Sequence, residues 1–159
     1  MCIEINAQSR PIINWHLLTE EELLYEVAIC IFSSQTVFEV AIAMADQLRH
    51  RRLFRQQQYG FNRKNYETNI ISAFDQPLIT KTRLGTARSV YPRFSNRFAH
   101  LLSETVEEIY GQGKTLQQLI CAETCSKKTR ESLVVHIYGF GPKQASLFLR
   151  RIGYCTDLA

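Results

Sequence analysis

No apolar run in this chain of 159 residues approaches the ~20 residues a membrane-spanning helix needs. No membrane segment is expected. Sustained alternation of apolar and polar residues is also missing, which argues against strands. There is no internal repeat and no low-complexity linker. Cysteine is sparse: Cys2, Cys30, Cys121, Cys125 and Cys155 are odd in number and scattered, which excludes a disulfide framework. Cys121-x-x-x-Cys125 lacks a second ligand pair, so neither a metal site nor a cofactor is expected. The first residues are polar and acidic early, unlike a secretory signal. A cytoplasmic, reduced protein is the expectation.

What is present points to helices. At 45% hydrophobic residues the chain can bury a substantial core. Thr19-Glu20-Glu21-Glu22 has the form of a capping box. The helix after it places Leu23, Leu24, Val27, Ala28, Ile31 and Phe32 inside. Thr36 is positioned to cap a second helix carrying Val37, Val40, Ala41, Met44, Ala45 and Leu48. Both are apolar over much of their circumference, which predicts central helices. Residues 50–62 read as a loop or frayed end, and 65–74 as a helix closed by Pro77. Residues 78–92 are a basic stretch punctuated by Gly85 and Pro92. Further helices are predicted over 94–110, 115–120, 127–138 and 142–152. The chain therefore reads as all-α and as one unit over residues 1–159, with Trp15 laid on the core.

The net charge of +4 is modest, but the cations cluster. Arg49, His50, Arg51, Arg52 and Arg55 form one group, Lys127, Lys128 and Arg130 a second, and Arg150 and Arg151 a third. Such clusters suit a phosphate backbone, although solvated helix ends give the same pattern. Near the end, an apolar helix tail runs into Gly139-Phe140-Gly141, and Pro142 is suited to the first position of another helix. Glycine supplies backbone angles and close approaches that other residues resist. Residues 131–152 thus read as two helices joined by a tight turn. Backbone N–H groups at the start of the second helix form an anion site, and Lys143 stands in its first turn.

Gly139-Phe-Gly-Pro-Lys-Gln-Ala145 resembles the helix-hairpin-helix superfamily of DNA repair proteins. The continuation, Lys143-Gln-Ala-Ser-x-Phe-Leu-Arg-Arg-Ile-Gly-Tyr154 and then Asp157-Leu158-Ala159, resembles the archaeal-type 8-oxoguanine DNA glycosylase/lyase family. Ala28-Ile-Cys-Ile-Phe-Ser-Ser-Gln-Thr36 resembles the end of an early helix and the turn after it in the wider endonuclease III-like superfamily. Arg93-Phe94 and Arg97 add a weaker match.

The resemblance implies a helix-hairpin-helix glycosylase-like domain that is incomplete at its C-terminus. It implies that Lys143 is a nucleophile forming a Schiff base. Gln35 would enter the DNA near an extruded base. Gly139 and Gly141 would contact the backbone, and the charge cluster adds Arg150 and Arg151 to the expected DNA contacts. The implied partner is double-stranded DNA carrying a damaged base, with 8-oxoguanine excised in base-excision repair. The family's catalytic aspartate is expected just beyond Ala159, and Asp157 matches a non-catalytic acidic position. A partner chain could supply the missing part. The residues alone leave other readings open. Lys143 fits a phosphate contact, Gln35 a helix cap, and the hairpin a non-catalytic DNA-binding module. His136, Phe148, Leu149, Phe61, Tyr66 and Trp15 fit core or packing positions better than catalytic or stacking ones.

Overall fold

The computed structural model describes residues 15–58, 62–81, 84–123 and 125–154. Seven helices and two short strands follow in order: α1 (Glu20–Phe32), α2 (Phe38–His50), α3 (Arg63–Ala73), β1 (Leu78–Lys81), β2 (Ala87–Val90), α4 (Ser95–Tyr110), α5 (Leu116–Cys121), α6 (Ser126–His136) and α7 (Pro142–Arg151), with 3-10 turns at Trp15–Leu17 and Leu53–Gln58. Among the described residues no helix is long and apolar enough to cross a membrane.

Helix α1 is the centre of the packing. Leu23, Leu24 and every residue from Val27 to Phe32 are fully buried, because α2, α4, α5 and α7 all lie against it. A helix so enclosed has no polar face along its second half, as its sequence requires. Its start is capped as expected: the Glu22 N–H donates to Thr19 Oγ1 at 3.1 Å. The Glu22 carboxylate accepts from the Thr19 hydroxyl instead of reaching the backbone, so only half of the capping box forms.

Glu20, in the same first turn, links two further elements. Its carboxylate accepts from the Tyr110 hydroxyl at 2.7 Å and from the N–H groups of Leu116 and Gln117 at 2.8 and 3.1 Å. A remote side chain thus satisfies the start of α5, in addition to the Thr115–Gln118 capping box. An anion at a helix N-terminus is favoured by the exposed N–H groups and the dipole. Trp15 is buried and its ring lies 5.8 Å from that of Tyr154, which joins the two ends of the described chain.

Three local expectations change. Thr36 does not cap α2; its hydroxyl donates to the Phe32 carbonyl at 2.9 Å, closing off α1. The cap of α2 is Val37, which has no capping side chain and is exposed rather than in the core. Where a loop or frayed end is expected after α2, Leu53–Gln58 form a 3-10 turn that buries Leu53 and Phe54. Strands β1 and β2 pair antiparallel, with Ile79 opposite Ser89 and Thr80 opposite Arg88. Each strand has four residues. Thr80 occupies a buried position, while Ala87, Arg88 and Ser89 are all exposed. No hydropathy alternation exists to be read. The fold remains predominantly helical, as expected.

Candidate nucleic-acid interface

Helix α6 ends at His136, and α7 begins at Pro142 after five intervening residues. Ile137 and Phe140 are buried, and the Phe140 ring lies 6.0 Å from Phe148 of α7. The turn is anchored by its first and fourth residues in this way. Gly139 has φ +95°, the left-handed region where a Cβ is strained. A Cβ there would also meet Leu101 Cδ1 of α4 at 3.2 Å and Ile31 Cγ2 of α1 at 3.5 Å. Glycine is required for both reasons. The Tyr138 N–H donates to Thr105 Oγ1 at 3.0 Å, and Thr105, fully buried, donates to the Leu101 carbonyl. The turn is therefore clamped onto α4 by one hydroxyl.

Gly141 is the N-cap of α7, with extended backbone and open space around its missing Cβ. It brings no capping side chain, and Pro142 follows at the first helical position. The N-terminus of α7 is left with N–H groups for a ligand and room for it to approach. Lys143 stands exposed in this first turn. With Arg130, Pro142, Ser146 and Arg150 it lines a cleft of about 300 Å³. Ser146 and Arg150 follow Lys143 by three and seven residues, the spacing of one helix face.

Arg150 and Arg151, neighbours in sequence, part company. Arg150 joins the cleft. Arg151 instead bonds Glu26 of α1, Nε to Oε2 at 2.5 Å, and its guanidinium lies 5.1 Å from the centre of the Phe38 ring. The two arginines expected to bind DNA therefore have different surroundings.

Gln35 is exposed in the turn after α1. Ser33, Ser34 and Thr36 each donate a hydroxyl to a carbonyl of the last turn of α1. This turn is a fastened helix end rather than a capping start, and Gln35 does not cap α2. It follows closely after Ile31, which touches the Gly139 position. The same end carries Phe94, the N-cap of α4, at φ +60° with its ring half exposed. A bulky residue with positive φ is a genuine outlier. Phe94 packs edge-on to Phe98, and Phe98 packs on Phe32. The structure therefore gathers the Gly139–Gly141 turn, the Gln35 turn and the start of α4 around Ile31, Phe32, Phe98 and Leu101.

His136 is partly buried beside Glu108, at 3.5 Å, rather than in the cleft. Tyr66, Phe148, Leu149 and Trp15 are core residues, as expected. Phe61 and Asp157 lie outside the described residues. Ser146 and Thr105 escaped sequence reading. The spacing of Lys143, Ser146 and Arg150 on one helical face was a usable signal for the first. No local signal marks the second, whose partner lies in another helix.

Two helices joined by a glycine turn, with an open helix N-terminus and a cationic cleft beside it, define a helix-hairpin-helix arrangement for binding the DNA backbone. A family model described as Ogg-HhH, 8-oxoguanine DNA glycosylase, matches residues 64–159, more than half of the sequence. The chain belongs to that DNA glycosylase family of base-excision repair. The matched span contains the hairpin, Lys143, Arg150 and Arg151, and begins after Gln35. No curated protein and no solved structure matches the chain.

Proposed function

We propose that this chain excises an oxidised purine, 8-oxoguanine, from double-stranded DNA and then cleaves the strand as a lyase, with Lys143 as the nucleophile. The observation that carries this reading is the position of Lys143: exposed, in the first turn of α7, two residues after the open N-cap at Gly141. The damaged base must leave the stack to be reached. The turn N–H groups hold a flanking phosphate. Gln35 and the exposed Phe94 stand at the same end to occupy the gap. The neutral Lys143 amine attacks the sugar C1′, and the base departs with the electrons of the glycosidic bond and takes up a proton. The resulting iminium allows elimination of the neighbouring phosphate. In this reading Arg150 meets the backbone, whereas Arg151 holds α7 on α1.

A second reading is favoured by one feature. Among the described residues, those lining the Lys143 cleft include no carboxylate, and the departing base leaves a cationic sugar that a carboxylate stabilises. A DNA-binding module, or a glycosylase half completed by another chain, fits such a cleft. Borohydride trapping on duplex DNA containing 8-oxoguanine separates the two. The enzyme reading predicts a covalent protein–DNA product that Lys143→Ala abolishes while leaving salt-sensitive DNA binding within a few-fold of wild type. Absence of any trapped product, with binding intact, would support the module.

A further inference from the structure

The basic residues at the end of α2 divide into paired and unpaired groups. Arg49 bonds Asp46 at 3.0 Å and lies 4.2 Å from the centre of the Tyr25 ring. Arg55 bonds Glu21 at 2.8 Å. Asp46 also accepts from the Tyr25 hydroxyl at 2.6 Å, so both of these carboxylates are engaged. His50, Arg51 and Arg52 are exposed and have no ion pair among the described residues. Arg52 has φ +60°, a left-handed position after a helix that glycine or asparagine fills at lower cost. Leu53 and Phe54 turn into the core directly after it, while Arg51 and Arg52 stay outside. Cations at a helix C-terminus stabilise the helix, but that effect does not call for arginine at a strained position. Backbone strain of this kind collects at functional positions.

Apolar surface adjoins these charges. Strand β1 lies against α2, and a cleft of about 520 Å³ opens between them. From α2 it is bordered by His50 and the Arg49–Asp46 pair, and from the other side by Pro77, Leu78 and Ile79. Leu78 is buried, whereas Ile79 is 74% exposed. Phe38, the first residue of α2, follows closely on the Gln35 turn. His50 stands about 18 Å further along the helix, at a rise of 1.5 Å per residue.

We propose that the end of α2 and the start of β1 form a docking surface for an acidic segment of another protein, which places one apolar side chain in the cleft. Charge complementarity selects this occupant. The unpaired arginines attract carboxylates and fix their orientation, and the cleft takes a leucine or aromatic anchor. A DNA duplex supplies the charge but no side chain for the cleft. A second copy of this chain brings the same arginines and is repelled. The surface is at the opposite end of α2 from the Gln35 turn, so partner and DNA bind together. The docking surface does not depend on the glycosylase reading.

The test is selection from a random dodecapeptide library on the folded chain, followed by calorimetric titration of the enriched peptides. These should carry carboxylates beside a leucine or aromatic residue, and their affinity should fall as salt rises. Arg51→Gln/Arg52→Gly, which removes both charges and tolerates the left-handed turn, should weaken them about fivefold. Ile79→Ser should also weaken them about fivefold. Duplex affinity at about 0.15 M salt should be unchanged in both variants, since charges so far from the turn are screened. Failure to enrich acidic peptides, or enriched peptides indifferent to Arg51→Gln/Arg52→Gly, would overturn the proposal. Duplex affinity falling as far as peptide affinity would assign the arginines to DNA and overturn it too. If the double variant does not fold, Ile79→Ser decides the matter, and wild-type peptide affinity in it overturns the docking surface. Borohydride trapping is scored separately: peptide binding without trapping would reject the lyase reading alone.

Discussion

Burial pushes the Cys30 thiol up to about 12, against the opposing pull of Arg151. Cys125 is the reverse case. It is exposed at the N-cap of α6, where the backbone N–H groups of Lys128 and then Lys127 hold its thiol below the ordinary value. Only the thiolate is nucleophilic. The pH midpoint for alkylation of Cys125, followed by peptide mapping, should therefore fall below the ordinary thiol value of about 8.5. Cys30 should remain unlabelled in the folded protein and react once urea exposes it. A Cys125 midpoint above that value would show that the helix start does not stabilise the thiolate. Arg151 shows why adjacency in sequence misleads at this scale. Successive helical residues are turned by about 100°, so two neighbouring arginines need not share a surface. Glu26, which receives Arg151, is 125 positions away and no local pattern announces it.

Among the elements, the hairpin was the most legible because its residues have local meaning. Pro142 fits only a helix start, and Gly139 fits a left-handed turn. The two glycines have different tasks, and substitution should separate them. Gly139→Ala places a Cβ at φ +95° and against Leu101 and Ile31. It should lower stability by about 1–2 kcal/mol, seen as a lower urea midpoint. Gly141→Ala meets open space in an unstrained conformation, so only the poorer N-cap of alanine counts and stability should fall by under about 1 kcal/mol. Its methyl group would nevertheless stand where a phosphate approaches, and DNA affinity should fall. Equal stability losses in the two variants would contradict this division. The strand pair β1 and β2 was illegible for the opposite reason. Ala87, Arg88 and Ser89 of its second strand are exposed, and in the first strand the buried positions hold a leucine and a polar threonine on either side of an exposed isoleucine, so burial leaves no alternation of hydropathy. Thr36 shows another limit: a hydroxyl between two helices can finish the first or start the second, and the sequence is the same in both cases.

At the scale of the molecule, charge is unevenly arranged about the turn. Pro142 and Lys143 at one end border the cationic cleft. Tyr138 at the other borders a cleft lined by Glu104, Glu107 and Glu108. Arg63 pairs with Glu104 and Glu107 and offsets part of that acidity. A polyanion is drawn to the first cleft and turned from the second, which gives the approaching duplex an orientation before any contact forms.

The docking of α7 on α1 has a kinetic consequence. The Gly139 turn takes its shape from Ile31 and Leu101, and α7 is tied to α1 through Arg151 and Glu26. Contacts between such distant positions carry the loop-closure cost that slows folding. Individual helices form far sooner. In stopped-flow refolding, helical circular dichroism should recover first, and the capacity to bind a labelled duplex should follow as a later phase. Simultaneous recovery would mean that the hairpin assembles without its support. On this view a newly made chain stays silent toward DNA until its last described helix has settled against its first.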